Sequence, residues 1–335
     1  MGTKHMNIRN KLFSTKIGSV QLDPFGFCNA KCWFCPVRYK PQPEVGLQVM
    51  PVELIEKILV DLVNEKNKFN GIVDSRLDLI LTAHYNEILL YKHFEEMLKL
   101  FRKYKFKTFV LSNGISLNKE NIDMIKSYQD VVTQVGLNIP AFERDLWADR
   151  SGFSPDQFDR LLNNLRYAEE QLLNTGYNIQ IHVNGIDSNI PSEMMKFSPE
   201  FNKLKMDLNP ISGEHEKQLA KARELFPKWN VTKNGLFDRA GHVDIISYQD
   251  YLNKISNNKK VVSCNSWRGD RSTQWLHINS AGQTFLCCND YNFDYVFGNL
   301  SEQTLNQIWG SDRHIHILEK AYNEICRKCF YATFE

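Results

Sequence analysis

The sequence predicts an α/β protein in which repeated strand–helix units build a parallel sheet and a smaller region of different character follows. Three observations carry this. From about residue 51 to 183, short apolar runs bounded by turn residues alternate with longer stretches whose apolar residues recur at helical spacing. Strands separated by helices are joined by crossovers, which gives parallel pairing and puts ligands at the C-terminal ends of the strands. Near residue 229 the alternation stops, and turn signals and cysteines take over.

In order, Pro51 stands at the first position of a helix over 51–68, whose Leu54, Ile55, Ile58, Leu59, Leu62 and Val63 form one apolar face. Leu77-Asp78-Leu79-Ile80-Leu81 is short and apolar with turn residues behind it, hence a strand. A helix near 89–104, a strand Thr108-Phe109-Val110-Leu111, a helix near 118–127, a strand at 131–137, a long helix near 155–174 and a strand at 179–183 continue the alternation. This periodicity accommodates a partial barrel or a doubly wound sheet. Beyond 229, Lys233-Asn234-Gly235, Arg239-Ala240-Gly241 and Asn257-Asn258-Lys259-Lys260 read as turns or loops. Gln274 to Ile278 and Gln283 to Cys287 read as a hairpin about Ser280-Ala281-Gly282.

The chain of 335 residues exceeds one average domain, so a large α/β unit with a smaller appendage is expected. Its 42% hydrophobic and 24% charged residues are ordinary for a globular protein. A net charge of +2 speaks against a dominant nucleic-acid surface, so a small-molecule or peptide substrate is expected instead. No run of about 18 apolar residues and no signal-peptide core occurs, so no membrane segment and a cytoplasmic location are expected. Eight cysteines, clustered in a leaderless chain, point to metal ligation in a reducing compartment rather than disulfides. Met1-Gly2-Thr3-Lys4-His5 reads as a cloning remnant ahead of Met6.

Cys28, Cys32 and Cys35 lie in Cys28-Asn29-Ala30-Lys31-Cys32-Trp33-Phe34-Cys35, between Gly26 and Pro36. Three thiolates so close can converge on one centre and leave a fourth position without a protein ligand, whereas a four-iron cluster ordinarily takes four cysteines. The alternative is a zinc ion or three reduced thiols; zinc usually takes a fourth nearby Cys or His, and this loop holds none.

The C-x3-C-x2-C spacing, with an aromatic residue just before the third cysteine, resembles the radical S-adenosylmethionine (radical SAM) superfamily. That resemblance implies a [4Fe–4S] cluster on Cys28, Cys32 and Cys35, whose open iron chelates S-adenosylmethionine (SAM). One electron, from a donor such as flavodoxin or ferredoxin, then yields methionine and a 5′-deoxyadenosyl radical that removes hydrogen from substrate. It also selects the architecture: a partial (β/α)6 radical SAM barrel over 18–228, behind an N-terminal tail over 1–17, with residues 229–335 forming a linker and a small cluster-binding extension.

Cys264, Cys287, Cys288, Cys326 and Cys329 fall in the last quarter, the last two as a C-x2-C pair. Four thiolates can close a complete second site, either a structural zinc or a cluster. With Gly282 to Cys287, Cys288-Asn289-Asp290, Gly298-Asn299-Leu300 and a helix ending near Ile308-Trp309, this region resembles the SPASM/Twitch extensions of radical SAM enzymes. The resemblance implies one auxiliary [4Fe–4S] cluster on Cys264, Cys287, Cys326 and Cys329, with Cys287 or Cys288 supplying the second ligand. Cys288 is then either a buried thiol or the hydrogen-atom donor to a substrate radical.

The resemblance extends to SAM contacts. The segment after the second strand, Thr82-Ala83-His84-Tyr85-Asn86-Glu87, lacks the glycines usual in this family, but Tyr85, Asn86 and Glu87 offer acceptors to the methionyl ammonium. Ser112 and Asn138 follow the third and fourth strands and are placed for the ribose or sulfonium region. Arg150 resembles the arginine that pairs with the SAM carboxylate, which a guanidinium fork suits. Phe34 offers its backbone to the adenine edge, and Asn184 follows the strand at 179–183. Arg268, Asp270, Tyr291 and His277 are candidates for substrate contact, whereas His314 and His316 are expected to pack or face solvent.

These readings converge on redox modification, by dehydrogenation or epimerisation, of a sugar, cyclitol or nucleoside. Modification of a peptide or protein side chain is the second enzymatic reading; the short stretch before Cys28 leaves no room for a peptide-recognition domain there. A zinc or iron–sulfur regulatory protein is the non-enzymatic alternative.

Overall fold

The computed structural model describes residues 8–185, 209–235, 239–243, 257, 259–265, 269–329 and 331–335. Six strands follow one another in space as in sequence: β1 (Ser19–Leu22), β2 (Ile80–Leu81), β3 (Thr108–Ser112), β4 (Val132–Ile139), β5 (Ile179–Gly185) and β6 (Asn230–Gly235). All neighbouring pairs are parallel, with Val20 opposite Ile80, Val110 opposite Val135, Leu137 opposite Ile181 and Ile181 opposite Val231. Between β2 and β3 the ladder thins to a parallel bridge at Leu79 and Lys107, where Ile80 N–H donates to Lys107 O at 2.8 Å. This is the partial barrel of the expected class, with one weak seam.

Local chemistry explains the helices. In α3 (Phe94–Tyr104) Phe94, Met97, Leu98 and Phe101 bury one face, Glu95 and Glu96 occupy the first turn and Arg102 and Lys103 the last, matching the helix dipole. The helix stops at Lys105, in the left-handed region at φ 60°. Helix α4 (Lys119–Ser127) starts where the Asn118 side chain accepts from Asn121 N–H at 2.9 Å. Helix α6 (Phe158–Gln171) buries Phe158, Leu161, Leu165 and Ala168.

Several expectations need correction. Pro51 precedes α2 (Val52–Asn67) as its cap, with extended backbone, rather than forming its first turn. The run Leu77 to Leu81 contributes a two-residue strand. Lys233-Asn234-Gly235 is not a loop: it completes β6, where pairing with Val183 to Gly185 outweighs the turn preference of Asn-Gly. A helix absent from the periodicity, α5 (Arg144–Ser151), has apolar and charged residues mixed around its circumference, so no amphipathic pattern announces it.

The C-terminal region is continuous with the barrel. Strand β8 (Trp275–Ile278) pairs parallel to β1, Val20 opposite Leu276, and β9 (Gln283–Phe285) and β10 (Val296–Asn299) extend that sheet antiparallel. The hairpin turn between β8 and β9 ends at Gly282, whose φ of +79° suits glycine. One hydrophobic core runs from Val20, Ile58 and Leu59 through Leu276 and Ile278 to Leu286, Phe297 and Ile308. A separate two-stranded ladder joins β7 (Val261–Cys264) to β11 (Ala332–Phe334). Among the described residues no helix is long and apolar enough to cross a membrane.

Candidate functional site

The cysteine loop leaves β1 at Leu22 and is held by backbone on both sides. Lys31 N–H donates to Ser151 O and Trp33 N–H to Arg150 O, both at 2.8 Å, so the unsatisfied carbonyls at the end of α5 catch it. Glu87 N–H donates to Phe27 O at 3.0 Å, tying the loop to the segment after β2. At Gly26 the backbones touch: an added Cβ would lie 1.9 Å from the Gly46 carbonyl oxygen.

Cys28, Cys32 and Cys35 line a cavity of about 540 Å³ together with Phe34, Tyr85, Asn86, Glu87, Ser112 and Asn138. Every sequence candidate for the SAM site except Arg150 and Asn184 thus meets at the C-terminal rim of the barrel. The Arg150 guanidinium lies over the Trp33 ring at 4.4 Å and donates to Pro140 O at 3.2 Å, so it braces the cysteine loop from behind. Asn184 is buried, with its Oδ1 unpaired, near the end of β5.

Within the cavity, Glu87 Oε2 accepts from Asn113 N–H at 2.8 Å, while Oε1 is buried without a partner. Burial pushes its carboxyl up to about 7. Burial also pushes the Cys28 thiol up to about 12, with the Glu87 charge adding, and Cys35 up to about 11; Cys32 rises too. Thiolates here therefore require positive charge close to the sulfurs, which irons supply.

Cys264, Cys287, Cys326 and Cys329 line a second cavity, of about 400 Å³, with Arg271 and Asn289 among its walls. Cys264 ends β7, Cys287 follows β9, and Cys326 lies in a single 3-10 turn, Ile325–Lys328, with Cys329 as its cap. Asn289 aims two donors at sulfur: its backbone N–H at Cys287 Sγ, 3.4 Å, and Nδ2 at Cys329 Sγ, 3.2 Å. Cys264, Cys287 and Cys326 are all pushed up, first by burial and then by neighbouring thiols. Among the described residues no three His, Cys, Asp or Glu side chains stand close enough to share one metal ion. Each set lines one cavity and offers the thiolates that an iron–sulfur cluster takes.

Of the adjacent pair, Cys287 lines the second cavity and Cys288 does not. The Cys288 sulfur accepts from Arg271 Nη1 at 2.6 Å. Its carbonyl accepts from the Tyr85 hydroxyl at 2.5 Å and lies 2.7 Å from His84 Nε2, whose Nδ1 faces Asp23 Oδ2 at 3.1 Å. Burial pushes the Tyr85 phenol well up, Arg239 opposes this, and Cys288, Cys35 and Cys287 add to it, so Tyr85 is within electrostatic reach of both cysteine sets.

Asp23, His84 and Arg271 went unrecognised in the sequence because each acts through a partner distant along the chain, and a lone polar residue beside an apolar run carries no periodic signal. Asp290 and Tyr291 hold the turn after Cys288: the Asp290 carboxylate accepts from Asp294 and Tyr295 N–H, and the Tyr291 ring meets Tyr85 edge-on at 5.0 Å. Asp270 is occupied in capping the helix Arg271–Gln274, and His277 is buried in β8 with neither ring nitrogen hydrogen-bonded; both sit in structural positions, not substrate-facing ones. Arg268 lies outside the described residues. His314 is buried, its ring stacked on Phe297.

Residues 22–189 match the Radical SAM superfamily, and residues 252–330 match SPASM, an iron-sulfur cluster-binding domain. Among solved structures, the chain resembles BtrN in complex with AdoMet and 2-DOIA at 14% identity and a TM-score of 0.52, covering 94% of this chain and 91% of that one. It resembles Streptococcus suis SuiB bound to precursor peptide SuiA at 16% identity and a TM-score of 0.54, covering 95% and 70%. For native anSMEcpe with bound AdoMet the values are 14%, 0.55, 93% and 86%. At these identities the likeness is one of fold. Among curated proteins, the S-adenosyl-L-methionine-dependent tRNA 4-demethylwyosine synthase of Methanocaldococcus jannaschii is 26% identical over 167 residues, 43% of this chain. The match spans 50% of that protein.

Proposed function

This chain belongs to the radical SAM superfamily and carries a C-terminal SPASM extension, and on that premise we propose that it carries out redox modification, by dehydrogenation or epimerisation, of a small polyhydroxylated substrate such as a sugar, cyclitol or nucleoside. The enzyme's cofactors are a SAM-binding [4Fe–4S] cluster, SAM and an auxiliary cluster. Cys28, Cys32 and Cys35 hold the first, and Cys264, Cys287, Cys326 and Cys329 the second. Loaded, the first site supplies a 5′-deoxyadenosyl radical able to remove a hydrogen atom, and the second supplies a sink for the electron that an oxidised product gives up.

Tyr85 carries this reading: it lines the first cavity and donates to the carbonyl of Cys288, one residue from a thiol of the second. A substrate resting against Tyr85 lies between the two sites. Glu87 and Asn86 receive the SAM ammonium, each through a buried oxygen that is otherwise unpaired. Ser112 and Asn138 line the same cavity, and Phe34, which also lines it, offers its backbone to the adenine edge. In the epimerising variant of the reaction Cys288 returns the hydrogen atom from the face opposite the radical. A flavodoxin- or ferredoxin-type donor in the cytoplasm suits a chain whose eight cysteines form no disulfide with one another.

A second reading, modification of a peptide side chain, draws support from an open polar cleft bordered by Lys40, His242, Asn292 and Glu324. Its volume of about 940 Å³ stands at the upper end of ordinary small-molecule sites, about 300–1,000 Å³. Anaerobic reconstitution tests the common core. About eight irons with matching sulfide per chain are expected. Replacing Cys28, Cys32 and Cys35 by Ala must abolish 5′-deoxyadenosine formation, and bound zinc without sulfide sinks the proposal. Turnover with deuterated polyols against deuterated peptides then separates the substrate readings by label in 5′-deoxyadenosine.

A further inference from the structure

Arg271 opens the short helix Arg271–Gln274, immediately after the Asp270 cap, and is 9% exposed. Its guanidinium lies between the Trp275 ring, at 5.2 Å, and the Tyr331 ring, at 5.1 Å. Nη1 donates to Cys288 Sγ at 2.6 Å, and Nε is buried with no acceptor. Among the described residues no carboxylate pairs with it; the neighbouring Asp270 accepts from Ser272 and lies 4.0 Å from Lys11 Nζ.

Arginine keeps its charge under all ordinary conditions, and a buried unpaired cation is costly. The side chain also lines the cavity formed by Cys264, Cys287, Cys326 and Cys329. Four thiolates around a four-iron core leave a net negative charge, which deepens by one on reduction. A cluster held by these four cysteines would set that negative charge against the Arg271 guanidinium, whose described side-chain acceptor, Cys288, does not line the cavity.

Building on the proposed redox role of the second site, we propose that Arg271 is a positioning residue that raises the reduction potential of the auxiliary cluster, so that it accepts an electron from the substrate-derived radical. A fixed cation in a low-dielectric wall stabilises the more negative, reduced state more than the oxidised one. The two donors of Asn289 directed at Cys287 and Cys329 act in the same sense, since hydrogen bonds to cluster sulfurs also raise the potential. Two independent features of the same cavity therefore favour the reduced state.

The test is a redox titration, followed by electron paramagnetic resonance, of the reconstituted full chain without substrate, in wild type, R271K, R271Q and R271M. The neutral variants are expected to lower the auxiliary equilibrium constant for reduction at least tenfold, about 59 mV for one electron. R271K falls less, and the first cluster keeps its midpoint. Should R271Q and R271M fold by circular dichroism but retain only about four irons while R271K retains about eight, the charge requirement holds in a stronger form. Equal loading with unchanged midpoints in R271Q and R271M overturns the proposal. Failure of the two-cluster reading is distinguishable, because the wild type itself would then bind only about four irons.

Discussion

Replacing Glu87 by glutamine tests how this chain holds the amino group of SAM without the glycines common in its family. One carboxylate oxygen is engaged by Asn113 N–H at 2.8 Å and the other is buried and unpaired beside the cysteine cavity. Glutamine preserves size and can still accept from Asn113 through its carbonyl, but then turns an NH₂ donor towards the ammonium. The substitution removes one charge-assisted hydrogen bond, worth about 1.5–3 kcal/mol. At about 1.4 kcal/mol per factor of ten, SAM binding weakens roughly 10- to 150-fold. The assay is equilibrium dialysis of labelled SAM against anaerobically reconstituted protein, with iron counted on the same samples so that cluster loss is not mistaken for lost affinity. A dissociation constant within about twofold of wild type at full iron content would show that the ammonium is held elsewhere.

Two other substitutions probe the framework. Gly26→Ala forces a Cβ against the Gly46 carbonyl, where a 1.9 Å approach cannot be relieved by a side-chain rotation. It is expected to cost about 1–3 kcal/mol of stability and to reduce iron retention at Cys28, Cys32 and Cys35; full loading with an unchanged melting temperature refutes the close packing. His314 accepts from Gly310 N–H at 3.1 Å and stacks on Phe297 at 3.9 Å, and burial pushes it down from 6.5 to about 3. A depressed histidine contributes stability present above pH 6.5 and lost as pH falls towards 3. Between about pH 7 and pH 4 the wild type should lose on the order of 3 kcal/mol more than His314→Asn. Parallel denaturation curves for the two proteins across that range contradict the assignment.

The cysteine spacings were legible because ligands on one loop are near in sequence as well as in space. Apart from α5, the strands and longer helices from Val52 to Val183 were legible because each buries one face, and burial imprints its period on the chain. Strand β6 was not: Lys233-Asn234-Gly235 has the local chemistry of a turn and becomes a strand through its parallel neighbour. Helix α5 was missed for the converse reason, since its role is to present the Arg150 and Ser151 carbonyls to the cysteine loop, which requires no amphipathic face. Arg150 was singled out by resemblance, and its packing over the Trp33 ring with one N–H on Pro140 O was visible only in the folded chain.

By itself the sequence supplied two thiol sets, and the resemblance carried by Cys28, Cys32 and Cys35 implied the radical-forming chemistry, because residue type and the spacing of ligands on one loop survive in a sequence. Tertiary structure alone decided how those sets meet. Pairing of β8 with β1 brings the extension onto the barrel's first strand, and Tyr85 and His84 then reach Cys288 across about two hundred residues of chain. It also decided that Cys287 faces the second cavity while Cys288 faces Arg271. Adjacent residues with the same side chain are indistinguishable in a sequence; in the folded chain the turn that begins after β9 sends the two sulfurs to different partners.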